Sequence, residues 1–390
     1  MSTTTAAAPH AVDEHRPDLD WLRVVAIILL HLFHTGMMFN TWDWHVKSAQ
    51  ALPALEPVME VMHHLRMPLL MFISGVGTAF ALRKRSLGGF AGDRAKRLLG
   101  PLVFGIFVVV PPQVYVEQLF RGRFQGSYAD FYPSVFDFVP YPAGSFSWHH
   151  LWFVAYLFAF CMLALPLFAA LGTARGQALL ARVEGWLCRG WNVVWLFLPL
   201  ALNWLLLRHH PETHALFDDP RTFGHYGLLF LLGHLLGRGP RVWEHLVARR
   251  WGLLAMSAVL FAVMVPDSEF PLVPEVLGAQ AALWLFILTA LAWARACIRV
   301  RRPWLKHAQA LSYPFYIFHQ TVIVVLGYAL LALPVGPWAL FGVVLVTTFA
   351  VTWALCEAVA RVPFLRPCFG MKPRASRPGV PRTVEAGHTA

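Results

Sequence analysis

WLRVVAIILLHLFHTGMMFNT, Trp21 to Thr41, is a run of 21 residues in which Arg23, His31 and His34 are the only ionisable groups. A helix needs roughly 17–25 mostly apolar residues to cross a bilayer, so the run predicts a membrane span. It is too long for a cleaved leader and lacks a small-residue cleavage site, so it is expected to remain as the first span. The rest of the chain repeats the pattern. Of 390 residues 57% are hydrophobic and 14% charged, where soluble chains carry about 25% charged residues. Hydropathy predicts an all-α, polytopic membrane helical bundle of about ten transmembrane helices, at 21–41, 58–82, 98–118, 149–171, 191–207, 223–238, 251–266, 276–296, 311–332 and 338–361. The transmembrane domain is expected over 19–366, with a cytoplasmic tail over 1–18 and a disordered basic tail over 367–390.

Charge sets the orientation. The net charge is +11, but 25 of the 32 Lys and Arg residues fall on one set of alternating loops and five on the other. Positive loops stay inside, so both termini are expected in the cytoplasm, and the basic excess gives no support to nucleic-acid binding. The five cysteines form no CxxC pair, which argues against a disulfide framework or a zinc site, and no metal is expected. Walker A, HExxH, GxSxG and dinucleotide fingerprints are missing too, leaving nucleotide hydrolysis, zinc proteolysis and nicotinamide chemistry without support. The opposite loops are aromatic: Tyr115, Tyr128, Tyr132, Tyr141, Trp148 and Trp152 form either an interfacial belt or a surface on which sugar rings stack.

Ionisable side chains inside a span are costly and point to function. Arg23 and His34 are eleven residues apart, about three helical turns, which places both on one face with the histidine roughly 16 Å deeper. His31 lies about 80° round the helix and either faces a neighbouring helix or shares the work. The second span opens on His63, His64 and Arg66, which either bind an external acceptor or snorkel. Its Ser74, Gly75 and Gly77 permit close helix contact. The stretch DRAKRLLGP sets Arg94 and Arg97 three apart at a cytoplasmic helix start, where guanidinium groups and free backbone N–H suit phosphate; simple positive flanking reads the same way. WHHLWF brings His149 and His150 to the outer edge. In LSYPFYIFHQTVIV, Ser312, Tyr316 and His319 make one polar stripe. Glu357 lies within the last span, and a buried carboxylate needs a partner, for which an intramembrane histidine is the expected choice.

A histidine in a dry site can act as a general base or carry an acyl group, and arginines at the inner mouth suit a phosphorylated donor. With LDWLR at 19–23, RMPLLMFISG at 66–75, HLWF at 150–153, YIFHQ at 316–320 and CEAVARVPFLRPCFGMKP at 356–373, the chain resembles the acyltransferase-3 family of integral membrane acyltransferases. It is most similar to the glucan biosynthesis protein C branch, which succinylates periplasmic glucans. The resemblance implies an acyltransferase of the bacterial inner membrane that moves an acyl group, succinyl or acetyl, from cytoplasmic acyl-CoA to a hydroxyl of an envelope carbohydrate acceptor. Carried over, Arg94 and Arg97 hold the CoA phosphates, Arg23 and Tyr316 help to place the donor, and His34 is the base or acyl relay, oriented by Glu357 or by Tyr316 and His319. A proton-coupled transporter built on the buried His and Glu residues is the alternative, and a non-catalytic scaffold a third.

Overall fold

The computed structural model describes residues 16–264, 271–298, 300 and 302–372. Those residues form helices joined by loops, with one isolated bridge, Pro140 to Phe146, and no named strand. Six helices are long and apolar enough to cross a membrane: α1 Pro17–Met37, α2 Glu56–Arg83 (preceded by a turn at Pro53–Leu55), α3 Leu87–Phe120, and, near the C-terminus, Leu272–Cys297, Pro303–Leu330 and Pro337–Arg361. Between them lie α4 His149–Leu163 and α5 Leu165–Gly172, α6 Ala174–Leu187 and α7 Asn192–Leu207, α8 Pro220–Arg238, then α9 Pro240–Ala248 and α10 Arg250–Met264. The last three are α11, α12 and α13. The pairs α4/α5, α6/α7 and α9/α10 bend by 44°, 117° and 68°. Counting each bent pair once gives nine spans among the described residues. The remaining hydropathy segment, 223–238, is α8. It has the length but carries His225, His234 and Arg238, and it is shielded by packing.

Sequence explains the helix starts. Proline stands in the first turn of α1, α2, α8, α9, α12 and α13, where no backbone donor is lost. Thr173 and Asp219 cap α6 and α8 by accepting the Gly176 and Thr222 N–H. Within α3 two π-helical turns, Ala95–Leu99 and Gly105–Val109, interrupt the regular ladder, and the first of them holds Arg97.

The most extensive helix pair is α2 with α8. A Cβ added to Gly75 would lie 2.0 Å from Phe230 O, and one added to Gly233 would lie 2.0 Å from Phe72 O, so the two backbones touch through reciprocal glycines. This is how membrane helices gain dispersion energy without a hydrophobic driving force. A Cβ on Gly77 meets nothing within 4 Å.

The ends differ from the expected tails. The residues 1–15 and 373–390 lie outside the described residues, as do 265–270, between α10 and α11. Arg16 is nevertheless buried, pairing with Asp18 at 2.6 Å and lying 3.9 Å over Trp243. At the other end, residues 367–372 are not a loose tail. Phe369 is 2% exposed and packs against Phe318 (4.5 Å) and Phe104 (5.3 Å), which inserts the C-terminal segment between α3 and α12.

Gly75→Ala and Gly233→Ala should each cost about 1–3 kcal/mol through overpacking, seen as a lower thermal midpoint of the purified protein. Gly77→Ala should leave the midpoint unchanged, and equal effects at all three positions would contradict the backbone contact.

Candidate active site

The site begins with two histidines brought together from α1 and α12. His34 Nδ1 lies 2.8 Å from His319 Nε2, and the rings stack with centroids 5.0 Å apart. His319 Nδ1 is 2.6 Å from the carbonyl of Tyr316. A carbonyl only accepts, so His319 carries its proton on Nδ1 and presents a lone pair at Nε2. His34 must then donate from Nδ1, which leaves its own Nε2 as an unprotonated base. Trp44 stacks near the far face of His34 at 6.2 Å. The direction of the tautomer chain is set where it starts, at a backbone carbonyl.

His34 lines a cavity of about 720 Å³. Its walls come from the C-terminal half of α1, the start of α2, residues 43–45, 140–150 and 212–217, and the middle of α12. Arg66 also lines it, 7% exposed, with its guanidinium 3.5 Å over the Phe33 ring and an N–H donated to Met62 O. It does not snorkel: it supplies a positive charge to the cavity that holds the base. His63, His149, His150, Tyr141, Trp148 and Trp152 are further lining residues. The loop aromatics therefore divide. Tyr141, Trp148 and Trp152 line the cavity, whereas Tyr115, Tyr128 and Tyr132 pack among Phe124, Phe131 and Phe136.

The remaining predicted residues fall into three groups. Tyr316 donates its hydroxyl to His150 O while His150 Nε2 bonds Ile317 O at 2.9 Å, so Tyr316 ties α12 to the start of α4. Ser312 is satisfied by Ala308 O of its own helix. His31, facing α13, sits 3.2 Å from Thr348 Oγ1 and 3.4 Å from Leu345 O, and it does not line the cavity. Arg23, Arg94 and Arg97 lie towards the other end of the bundle. Arg23 is 3.7 Å from Asp20, Arg94 is near enough to act on it electrostatically, and Arg94 Nε is buried without a partner. Glu357 is a correction. It bonds His307 and lies 3.1 Å from Arg361, so it does not orient His34; His319 has that place.

Several residues escape a reading by spans. Glu117, in the last turn of α3, is 1% exposed and lies 2.6 Å from His45 Nδ1, 2.8 Å from Tyr141 OH and 3.0 Å from Arg121 Nε. Gln320 donates to His45 Nε2 and to Gln113 Oε1 at 3.1 and 3.2 Å. In the loop at 208–219, Glu212 lines the cavity, and the hydrogen bond from His214 holds its carboxyl down to about 2 against the opposing effect of burial. The signal available for Glu117 is Arg121, four residues on.

Residues 16–357 match the family described as an acyltransferase domain. Among curated relatives, glucans biosynthesis protein C of Escherichia coli strain SMS-3-5 / SECEC is 26% identical over 153 residues, and that of strain K12 is 25% identical over the same length. Each match covers 38% of this chain and 38% of the relative. No solved structure matches.

In ¹⁵N-histidine-labelled protein, with signals assigned through His34→Ala and His319→Ala, both residues should show the neutral Nδ1–H tautomer. An Nε2–H signature at His34 would break the tautomer chain.

Proposed function

The chain belongs to the acyltransferase domain family, and from that premise we propose that it is a multi-pass O-acyltransferase of the bacterial inner membrane, moving an acyl group from cytoplasmic acyl-CoA to a hydroxyl of an envelope glycan. The observation that carries this reading is the His34–His319 pair, with the free lone pair of His34 on a cavity wall. In the reaction, His34 Nε2 takes the proton of the acceptor hydroxyl as its oxygen attacks the thioester carbonyl. The tetrahedral intermediate places negative charge on the former carbonyl oxygen, and Arg66 supplies the nearby cation. Collapse breaks the carbon–sulfur bond, and the imidazolium returns its proton to the departing CoA thiolate. His319 stabilises the imidazolium through the Nδ1 bond, as an orienting group does in a nucleophile–base–orienter set.

The two ends of the bundle suit the two substrates. Arg94 and Arg97, on and beside a π-helical turn, bind donor phosphates, and Arg23 helps to guide the thioester towards His34 three turns away. The wide aromatic cavity takes the acceptor, since sugar rings present apolar faces to Tyr141, Trp148 and Trp152. Succinyl or acetyl is the group transferred, as the family resemblance implies. The transporter reading calls for broken helices around the binding site. The helix breaks here, at Ala164, 188–191 and Arg249, contribute no residue to the cavity wall.

Transfer from labelled acyl-CoA to envelope glycan, followed in vesicles, should fall by about 10²-fold or more in His34→Ala while the protein still inserts. His31→Ala should retain most of the activity. Arg94→Ala should raise the KM for the donor with a smaller effect on kcat. Normal transfer by His34→Ala would sink the proposal, and substrate flux without acyl-CoA consumption would replace it with transport.

A further inference from the structure

Three residues far apart in the chain converge at the outer part of the cavity: His45 from the loop after α1, Glu117 from the end of α3 and His149 from the start of α4. One ligand-type atom from each lies within 4.8 Å of the other two. We propose that these residues form a binding site for a divalent metal ion, Zn²⁺ by the chemistry of its donors. Two imidazoles and one carboxylate are a donor set that zinc uses where it keeps an open position.

The surroundings are arranged as a metal's outer shell requires. His149 Nε2 is buried and has no hydrogen-bond partner. Its other ring nitrogen, Nδ1, is 2.8 Å from Ser147 Oγ. That hydroxyl can accept the Nδ1 proton and leave the lone pair at Nε2, the second-shell contact that fixes a ligating tautomer. The backbone at His149 is held in the left-handed region at φ +39°, unusual for a residue with a side chain and tolerated where the surroundings enforce it. Glu117 offers one oxygen. Tyr141 and Arg121 occupy Oε1, while Oε2 is the atom that faces His45. His45 is held on its far nitrogen by Gln320, whose amide can serve either tautomer by turning over. In the metal-free arrangement a proton bridges His45 Nδ1 and Glu117 Oε2, and the ion takes that proton's place after the ligand atoms separate slightly.

A purely structural reading makes His45–Glu117 an ion pair with Arg121 as its neighbour. It accounts for two of the three residues and leaves the buried His149 nitrogen without a purpose. The metal accounts for all three. His45 and His149 both line the cavity, so coordination positions not filled by protein open into it. Resting on the acyltransferase reading, the inference is that such a position holds an oxygen of the acceptor glycan and anchors it on the same cavity as His34.

The test uses the full-length protein in detergent, stripped with a chelator, returned to Zn²⁺ and freed of excess metal by gel filtration. Wild type should retain about one zinc per chain, and Co²⁺ in its place should give visible absorption of a low-coordinate site. His149→Gln, which leaves the His45–Glu117–Arg121 contacts intact, should lose the metal and the colour, as should Glu117→Gln. His31→Ala should keep both. Monodisperse wild type that retains no zinc, or equal retention in His149→Gln, overturns the site and marks any bound metal as adventitious. Transfer lost in His34→Ala with metal retained supports both readings independently, whereas metal retained by wild type that transfers no acyl group removes the acyltransferase reading and leaves the metal site standing.

Discussion

An imidazole buried among hydrophobic helices must satisfy its ring nitrogens or accept a large desolvation penalty. In this molecule that demand is met by a directed chain: Tyr316 O accepts from His319, and His319 accepts from His34. Because the chain begins on a backbone carbonyl, it can run in one direction only. The nitrogen left over is Nε2 of His34, a residue that lines the cavity. A histidine without such a chain could present either tautomer, and molecules in the Nε2–H form would face the substrate with a proton already in place. His31 illustrates the contrast, since it is surrounded by Thr348 and Leu345 O and is spent on joining α1 to α13.

The bundle around the chain is held by more than one means. The α2–α8 pair closes through glycine, where dispersion between backbones substitutes for the hydrophobic effect. At the basic end Phe369 fills the space between α3 and α12. α3 itself carries two π-helical turns, and such turns frequently occur at functional positions.

Much of this was readable in the residues. The eleven-residue separation of Arg23 and His34 places one at the basic end and one in the cavity, and the stripe on α12 leads to His319. Small residues around Gly75 announce a close contact, although only Gly75 of that group makes it, because the partner backbone comes from a helix 150 or so residues away in sequence. Long-range pairing is where the reading stops. Nothing in the local pattern joins Glu357 to His307, and nothing in it decides between Glu357 and His319 as the partner of His34. Glu117 and His45 lie where spans give way to loops, and hydropathy is least informative there. Composition also misleads at the C-terminus: a proline-rich, basic segment looks solvated, yet one phenylalanine in it is a core residue.

The 285-position separation of His34 and His319 has a meaning for biogenesis. During membrane insertion the first span enters early with its imidazole unpaired, and its partner arrives only with the twelfth helix. Until then no basic nitrogen is oriented towards a cavity, because the cavity wall itself awaits residues from α12. Competence is thus acquired only once α12 has been made, and a ribosome that stalls before α12 leaves an inserted but chemically silent fragment in the bilayer.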